Sequence, residues 1–515
     1  MTDVSHFGPT QRISPARLLF VLLVVGGAIA AGGWWLLGVV NESRAEVSKT
    51  WSAPYVDVTL TPQLHFEDAT EQPAHDVVLG FVVADPAKSC EPSWGTYYTL
   101  DAASRALDLD RRIVRLRERG GDAMVSFGGA LNNELATVCR DPDALVAAYQ
   151  SVIDRYKLGT IEFDIEGAAL ADSAANQRRS AAIAKLQQKN EGLAVWFTLP
   201  VAPTGLTDEG LKLLQETLQG GATVSGVNVM TMNYGGARTE SMSMRDATVS
   251  ALTSTWQQLG GLFAQTGQPR ADEQIWAMIG ATPMIGQNDV SSDVFTTADA
   301  NGLVDFARTV SLGRLSFWSA NRDISCGAVV EGKGVSNTCS GVNQEPLEFT
   351  RILAGGPSRL DGKPPATTPV PSSEPRVDGL TRDDPRTSPY PIWRAAKAYD
   401  EGAKVVWQGR VYQAKWWTLN NQPDAPVKHI WETPWRYLGP VLESDRVAVR
   451  AGTATDGSRP RWSAESVFVA GDEVEYSGKA FKAKWWTQGE APQEDPDQPY
   501  DHPWEYLGEV APKTK

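Results

Sequence analysis

The strongest structural signal lies in nine residues, Gly159-Thr-Ile-Glu-Phe-Asp-Ile-Glu-Gly167, where acidic and apolar side chains alternate as on a β-strand. Because successive side chains of a strand point to opposite faces, Glu162, Asp164 and Glu166 share one face, with neighbours roughly 7 Å apart. A column of acids in an apolar strand is costly to bury unless it manages charge or protons, so we interpret it as a functional site. The alternative is a solvent-facing edge strand, but the flanking glycines and the isoleucines favour a buried one.

Short apolar runs recur on both sides of this strand, with amphipathic helical stretches between several of them. The predicted strands are Tyr55–Leu60, Val77–Ala84, Ala123–Ser126, Thr160–Ile165, Ala194–Leu199, Gly226–Met232, Ile275–Ile279 and Leu315–Trp318. The predicted helices include Asp108–Arg119, Pro142–Tyr156, Asn176–Asn190 and Asp208–Gln219. Eight strands with helical crossovers predict an α/β fold, a (β/α)₈ TIM barrel over residues 52–353. The alternative is a doubly wound open sheet, but no glycine-rich dinucleotide turn follows the first strand.

A repeat follows the predicted barrel. Residues 355–391 are rich in Pro, Ser, Thr and Arg and predict a linker. Ala414-Lys-Trp-Trp-Thr418 then recurs as Ala483-Lys-Trp-Trp-Thr487, 69 residues later, and the same offset relates Trp435 to Trp504. We therefore predict two copies of a small all-β domain at residues 392–441 and 461–510, joined by a linker at 442–460.

The N-terminal region predicts a membrane anchor. Residues 18–40 carry no charge, and a 23-residue helix is long enough to cross a bilayer, with residues 1–17 as a cytoplasmic segment. The alternative is a signal peptide cleaved near Ala30, which would release a secreted protein. In either case we expect the body of the protein outside the cell, held at the cell membrane if the anchor stays.

The four cysteines support an exported body. None lies in a C-x-x-C pair and their spacing does not resemble that of a zinc site, so we predict two disulfides instead. The predicted pairs are Cys90 with Cys139, which joins the loops after the second and third strands, and Cys326 with Cys339. A net charge of −14 argues against nucleic acid as a partner. Nothing in the sequence implies a protein partner, a metal or a cofactor.

Four segments together resemble the chitinases of glycoside hydrolase family 18. They are Ser126-Phe-Gly-Gly129 on the third strand, the acid column on the fourth, Met230-Thr-Met-Asn-Tyr-Gly235 on the sixth and Phe317-Trp-Ser319 on the eighth. The family carries an S-x-G-G motif and a D-x-x-D-x-D-x-E motif on the third and fourth strands. The resemblance covers residues 52–353.

The resemblance implies roles for several of these residues. Glu166 would be the general acid, Asp164 and Glu162 its partners, Tyr234 a hydrogen-bond donor to the acetamido group of the substrate, and Trp318 the aromatic floor beneath a sugar. The same motifs place five further residues at the substrate: Met232, Asn233, Ser126, Gly128 and Gly129.

The acid column departs from the family pattern at two positions. Gly159 and Glu162 stand where the motif has its first two aspartates. Glu162 keeps the charge with one more methylene group, so we expect proton sharing with Asp164 to survive in altered geometry. We also expect the two carboxylates behind Glu166 to raise its pKa, which keeps it protonated for acid catalysis.

The two repeats resemble carbohydrate-binding module families 5 and 12, which often carry the A-K-W-W-T segment. If that segment is a strand, the two tryptophans of each pair point to opposite faces. We expect one to be buried and the other to stack on sugar rings, and the resemblance favours exposure of the first, Trp416 and Trp485, over Trp417 and Trp486. Both could also be buried in so small a domain.

The predicted function is therefore a chitinase that hydrolyses internal β-1,4 bonds of an N-acetylglucosamine polymer. The family mechanism is retaining and substrate-assisted, so the sugar's own 2-acetamido group acts as the nucleophile. Two alternatives remain at this point. One is an endo-β-N-acetylglucosaminidase acting on N-glycans, and the other is a non-catalytic chitin-binding lectin on the same barrel.

Overall fold

Residues 50–354 are built on a closed sheet. A computed structural model describes residues 50–327, 335–354, 383–384, 388–447, 459–464, 466–494 and 502–510. The strands of this region are Trp51–Ser52 (β1), Tyr55–Asp57 (β2), Val77–Ala84 (β3), Pro92–Trp94 (β4), Tyr98–Thr99 (β5), Ala123–Gly128 (β6), Thr160–Asp164 (β7), Ala194–Ala202 (β8), Gly205–Leu206 (β9), Gly226–Met230 (β10), Ile279–Ala281 (β11), Gly286–Gln287 (β12), Val294–Phe295 (β13) and Arg314–Leu315 (β14).

The first barrel strand closes the sheet. Ala53 and Pro54 divide this strand into β1 and β2. β1 pairs in parallel with β14, and β2 pairs in parallel with β3. Between them the order is β3-β6-β7-β8-β10-β11-β14, so the strand joins the two ends of the sheet. The predicted TIM barrel is confirmed.

Helices cover the outside of this sheet. They are Leu100–Ala106 (α1), Leu109–Glu118 (α2), Leu135–Val138 (α3), Pro142–Tyr156 (α4), Ala168–Ala171 (α5), Ser173–Lys189 (α6), Asp208–Gln219 (α7), Met244–Gln265 (α8), Asp272–Ala277 (α9), Thr297–Val310 (α10) and Glu348–Leu353 (α11). Short 3₁₀ helices lie at Gly235–Ala237 and Ala320–Arg322. The bounds of α4 follow from its caps: the Asp141 side chain accepts from the amides of Asp143 and Ala144, Pro142 opens the helix, and Lys157 closes it in a left-handed conformation.

One predicted strand was wrong. We expected a strand at Ile275–Ile279, but Ile275 lies in helix α9 and the strand is Ile279–Ala281. Asp272 and Glu273 in the first turn favour the helix, and the side chain of Gln274 accepts from the amide of Ala271. A short apolar run does not distinguish a helix from a strand by its periodicity, and this one spans the end of one element and the start of the next.

The interior of the barrel is filled by aromatic side chains around a buried arginine. Trp51 packs edge-on against Trp196, with 5.5 Å between ring centroids. The guanidinium of Arg314 lies over both rings and over Tyr55. This small cluster is separate from the larger core between strands and helices. Tyr55 and Arg314 also bind Glu162, so this cluster lies directly beneath the polar residues of the barrel mouth.

The two C-terminal repeats fold alike, and we call them module 1 and module 2. Module 1 contains Ala398–Tyr399 (β15), Lys404–Trp407 (β16), Arg410–Ala414 (β17), Thr418–Leu419 (β18) and Trp435–Pro440 (β19), with 3₁₀ helices at Ile430–Glu432 and Glu443–Val447. Module 2 contains Glu473–Tyr476 (β20), Lys479–Ala483 (β21) and Trp504–Glu509 (β22). Both form three-stranded antiparallel sheets in which the pairing Lys404–Gln413 becomes Glu473–Lys482. The predicted all-β duplication is confirmed.

Both predicted disulfides are formed, Cys90 with Cys139 and Cys326 with Cys339. The predicted segments 1–17 and 18–40 lie outside the described residues, as do most of the linkers at 355–391 and 442–460. Within the part of the chain that the structure describes, no helix has the length and apolar character needed to cross a membrane.

Candidate active site

The carboxylate column lies at the C-terminal end of β7, inside the mouth of the barrel. Glu162 and Asp164 are buried on the inner face of the strand, and Glu166 follows just beyond the end of the strand, half-buried. On the opposite face Phe163 stacks on Phe127 in the outer core. The predicted alternation is confirmed, and it places two carboxyl groups on the inner face of β7 and a third just beyond the end of the strand.

Glu162, the deepest of the three, is fully engaged by partners inside the barrel. Its Oε1 accepts from the Tyr55 hydroxyl at 2.5 Å, and its Oε2 accepts from Arg314 Nη1 at 2.5 Å. Asn228 donates in turn to the Tyr55 hydroxyl at 3.2 Å. The expectation that Glu162 shares a proton with Asp164 needs correction, because Tyr55 and Arg314 take up both of its oxygens. Sequence reasoning missed both partners, which lie in β2 and β14 and carry no motif.

Asp164 sits between the engaged Glu162 and the half-buried Glu166. Burial raises the pKa of Asp164 well above its usual range, and the nearby charges of Glu166 and Glu162 raise it further. A hydrogen bond joins the carboxyl groups of Asp164 and Glu166 and favours the proton on Asp164. The other oxygen, Oδ1, is buried without a hydrogen-bond partner among the described residues. That oxygen can therefore accept a further hydrogen bond.

Glu166 has the pKa that an acid catalyst needs. Burial raises the pKa of Glu166 to about 7, the hydrogen bond from Asp164 opposes that rise, and the charge of Asp289 adds to it. We expected the two carboxylates behind Glu166 to be the cause. The physical cause is instead removal from water, assisted by an acid from a different loop.

Asp289 is a residue that sequence reasoning missed. It lies in the turn between β12 and β13, where Asn233 Nδ2 donates to its Oδ2 at 2.9 Å. Asn233 has a left-handed backbone conformation, and its Oδ1 accepts from the amide of Val290 at 3.1 Å. The predicted substrate ligand Asn233 therefore ties the loop after β10 to the β12–β13 hairpin. The run Asn288-Asp-Val290 resembles an ordinary polar turn, so no signal in the sequence pointed to Asp289.

The glycines of Ser126-Phe-Gly-Gly129 shape the site from behind. Gly128 has φ +106°, and a Cβ there would lie 2.1 Å from the carbonyl oxygen of Asp164. A Cβ on Gly129 would lie 2.9 Å from the Phe81 ring, and the Gly129 amide donates to the Asp164 carbonyl at 2.9 Å. Ser126 is fully buried, and its contact with substrate stays a prediction. The motif is a packing requirement that lets β6 approach β7 and Phe81.

Three aromatic rings form the floor of the site. Trp318, half-buried beyond the end of β14, stacks on Phe81 with 5.5 Å between centroids and an interplanar angle of 28°. Tyr55 meets Trp318 edge-on at 6.0 Å. Trp318 is thus placed where the prediction put it, at the barrel mouth, and Phe81 and Tyr55 extend the floor. Both belong to strands whose apolar runs gave no sign of this role.

Tyr234 lies in the loop after β10 and is buried against the core between strands and helices. Burial raises its pKa, a hydrogen bond with Thr248 of α8 opposes that rise, and the charge of Asp293 adds to it. The contact of its hydroxyl with the acetamido group of the substrate stays a prediction. Tyr55 is the phenol that donates to Glu162. Met232, predicted beside Tyr234, is half-buried in the loop after β10.

The module tryptophans also differ from the expectation. Residues 415–417 are not part of a strand, so alternation does not apply, and both tryptophans are exposed: Trp416 by 43 % and Trp417 by 58 %. The expectation that Trp417 is buried was wrong. Trp431, a third aromatic residue, is 68 % exposed and stacks on His429. In module 2, Trp485 and Trp486 are half-buried, and Trp486 Nε1 donates to the carbonyl of Ser388 at 3.1 Å.

Comparisons with known proteins agree with this architecture. Residues 392–436 and 461–505 each match the sequence profile of carbohydrate-binding module family 5/12. A solved chitinase catalytic domain from Pyrococcus furiosus superposes with a TM-score of 0.52 at 29 % identity, covering 59 % of this chain and 94 % of that one. The resemblance to the chitinases is confirmed.

Two curated relatives extend this likeness over about half of the chain. The probable bifunctional chitinase/lysozyme of Escherichia coli K12 is 40 % identical over 290 residues, and endochitinase 11 of Metarhizium anisopliae is 38 % identical over 284 residues. Each alignment covers 53 % of this chain. The chain spans 31 % of the first relative and 52 % of the second, so their full lengths include regions without a counterpart in these alignments.

Proposed function

We propose that this protein is a chitinase that cleaves internal β-1,4 bonds between N-acetylglucosamine residues, with Glu166 as the general acid and base. The observation that carries the proposal is the position of Glu166, which lies just beyond the end of β7, half-buried and hydrogen-bonded to Asp164, where burial raises its pKa to about 7. A glycosidic oxygen is a poor leaving group, so it needs an acid that still holds its proton near neutral pH. The aromatic floor of Trp318 and Phe81 supplies a surface on which a pyranose ring stacks.

The state of Glu162 favours a substrate-assisted reaction. A conventional retaining glycosidase uses a second carboxylate as the nucleophile. Glu162 is held by Tyr55 and Arg314 at the base of the site, and the raised pKa of Asp164 favours its protonated form, so neither group is well suited to act as a nucleophile. The acetamido oxygen of the substrate then attacks the anomeric carbon as the bond to the leaving oxygen breaks, and that oxygen takes the proton of Glu166.

Asp164 serves this reaction in two ways. Its unpartnered Oδ1 accepts the N–H of the acetamido group and turns the acetamido oxygen toward the anomeric carbon. As Glu166 gives its proton to the leaving oxygen, the proton in the Asp164–Glu166 hydrogen bond shifts to Glu166, and the Asp164 carboxylate carries the negative charge beside the oxazolinium ion. Water then attacks the anomeric carbon and breaks its bond to the acetamido oxygen. The shared proton returns to Asp164, and Glu166 takes the proton that the water loses, with net retention of configuration.

The test is to incubate the protein with colloidal chitin and measure new reducing ends, then to follow a soluble oligosaccharide by NMR. We expect reducing ends to accumulate and the first product to be the β anomer. An α anomer as first product would exclude substrate assistance, and absence of any release would exclude a hydrolase of this substrate.

We propose that the two modules hold the enzyme on insoluble chitin. Exposed Trp416, Trp417 and Trp431 in module 1 offer flat faces for stacking on sugar rings. Trp417→Ala is expected to weaken binding to chitin beads without lowering the melting temperature. Trp435→Ala is the matched contrast, because Trp435 is buried and its Nε1 donates to the Asn421 carbonyl at 2.8 Å. It should destabilise the module by about 3–5 kcal/mol. Normal bead binding by Trp417→Ala would contradict the role of this face.

We further propose that the body of the protein works outside the cell, held at the membrane by residues 18–40 or secreted after cleavage near Ala30. Two disulfides support an oxidising compartment. Fractionation of expressing cells, followed by N-terminal sequencing of the mature protein, separates the anchored form from the cleaved one.

A further inference from the structure

Module 1 lies against helix α2 of the barrel, and its contacts run along the whole helix. At the start of α2, the buried carboxylate of Asp108 accepts from the Tyr390 hydroxyl at 2.8 Å and from Lys404 Nζ. Tyr390 and Lys404 lie just before and within module 1. A helix of ten residues is about 15 Å long, so a contact that covers it is extensive.

Arg111 forms the centre of this contact. It is only 3 % exposed although it lies on the outer side of the barrel. Its Nη1 donates to the Pro440 carbonyl at 2.7 Å and to Asp445 at 2.8 Å, and its Nη2 donates to Asp445 at 3.2 Å. A Cβ on Gly439 would lie 2.7 Å from Arg111 Cγ, so the glycine permits this close approach. Module 1 thus both buries this guanidinium and supplies its acceptors.

The far end of α2 is held by a second polar cluster. Arg436 Nη1 lies 2.9 Å from His65 Nε2, and Arg436 Nη2 is paired with Glu71. The Tyr437 hydroxyl donates to Glu118 at 3.2 Å, and the guanidinium of Arg115 lies 4.5 Å from the centre of the Tyr437 ring. Charges of opposite sign therefore face each other at both ends of the contact.

Module 2 has the same fold but the opposite charges at these positions. With the offset of 69, Lys404 corresponds to Glu473 and Arg436 to Glu505. In the place of module 1, Glu473 would face Asp108 and Glu505 would face Glu71. Like charges in contact oppose docking.

The exposure of the last strand in each module agrees with this difference. Leu438 in β19 is 2 % exposed, whereas Leu507, its counterpart in β22, is 41 % exposed. Glu505 and Glu509 of β22 are also exposed. Leu438 packs on Val406 and Val411 together with Tyr390, the residue that donates to Asp108, whereas the matching strand of module 2 is open to solvent at Leu507.

We propose that the β19 face of module 1 is a dedicated docking surface for helix α2, so that the barrel and module 1 act as one rigid body. Module 2 lacks the residues for this contact with α2, and Trp486 instead donates to the Ser388 carbonyl in the segment before module 1. Module 2 serves as a second carbohydrate-binding unit that is not docked on the barrel helix. A rigidly docked module holds its exposed tryptophans at a constant position relative to the catalytic cleft. The docking rests on contacts within the chain and does not depend on the proposed hydrolytic activity.

Hydrogen–deuterium exchange of the full chain tests the docking. Lys404→Glu/Arg436→Glu gives module 1 the residues of module 2, and we expect the amides of Leu109–Glu118 and Trp435–Pro440 to exchange about tenfold faster. The barrel strands β7 and β8 should keep their protection. Lys428→Glu, a charge reversal at an exposed position of module 1 away from α2, should change none of these rates.

A charge swap distinguishes loss of the contact from misfolding of the variant. Arg436→Glu alone should speed exchange, and Arg436→Glu combined with Glu71→Arg should restore much of the protection because the pair is re-formed with reversed signs. Unchanged exchange in Lys404→Glu/Arg436→Glu, or a swap no better protected than Arg436→Glu alone, would overturn the docking.

The hydrolytic consequence is measured separately. If chitin is the substrate, the undocked variant should lose activity on crystalline chitin severalfold more than on soluble oligosaccharides. An inactive wild-type chain would contradict the proposed function and leave the exchange result standing. An active chain with undisturbed exchange in the variant would contradict the docking alone.

Discussion

Two layers of the barrel interior bury carboxyl groups and treat them in opposite ways. The lower layer holds Glu162 between Tyr55 and Arg314, so each of its carboxylate oxygens has a partner. The upper layer holds Asp164 and Glu166. Asp164 Oδ1 has no hydrogen-bond partner among the described residues, and burial raises the pKa of both carboxyl groups, which favours their protonated forms. Asp164 and Glu166 lie two and four residues after Glu162, at and just beyond the end of β7.

The difference teaches that burial alone does not make an acid catalytic. Where a cation and a phenol bind the buried carboxylate, as at Glu162, the group has a structural role. Where they are missing, burial raises the pKa and the group becomes a proton donor. Substitutions in the lower layer should therefore act on stability, and those in the upper layer on rate.

The largest effect is expected from Glu166→Gln. The amide keeps the shape and has no proton to give, so hydrolysis should fall by about 10² to 10⁴ or more. Because the substitution removes a carboxyl that is costly to ionise, the free energy of unfolding should stay equal or rise. Reducing-end assays and urea denaturation measure the two quantities. A variant that retains over a tenth of wild-type turnover would move the general acid to another residue.

The reverse pattern is expected from Arg314→Met in the lower layer. It leaves Glu162 buried without its counter-charge, which should lower the free energy of unfolding by about 3–5 kcal/mol. Adding Glu162→Gln removes the stranded charge, so the double variant should recover part of that loss. Urea denaturation of both variants checks this, and a double variant less stable than Arg314→Met would contradict the assigned pairing.

The pH dependence of kcat/KM should follow the titration of Glu166 in the upper layer. Glu166 works as an acid only while protonated, and its raised pKa extends the protonated form to about pH 7. We expect kcat/KM on a soluble oligosaccharide to hold up to that pH and then to fall by about tenfold per pH unit. A fall that begins two units lower would mean that the acid is an ordinary exposed carboxyl.

The sequence predicted most of the framework because its signals are local. The strand alternation placed the acid column, the amphipathic stretch Pro142–Tyr156 placed α4, and the 69-residue offset showed the modules. Each of these signals is carried by residues near one another in the chain. The cysteine pairs predicted from the positions of the four cysteines are also formed.

The partners of the acids were not predictable in the same way. Arg314 meets Glu162 across 152 residues of sequence, and the contact exists only because β14 closes the barrel beside β1. The two tryptophans at 416 and 417 show a different limit. Alternation holds only inside a strand, and β17 ends at Ala414, before the pair begins.

The smallest effect is expected from Asp289→Asn, which removes a charge near Glu166 while keeping a side chain that can bond to Asn233. The substitution should lower the pKa of Glu166, so that at pH 8 activity falls about two- to threefold relative to wild type. At pH 5 the acid is protonated in both proteins and the rates should agree. Asp305→Asn, an exposed carboxylate on α10, is the matched control, since solvent and salt screen a charge at a distant surface. If Asp289→Asn lowers activity equally at both pH values, Asp289 acts through the geometry of the β12–β13 hairpin and not through its charge.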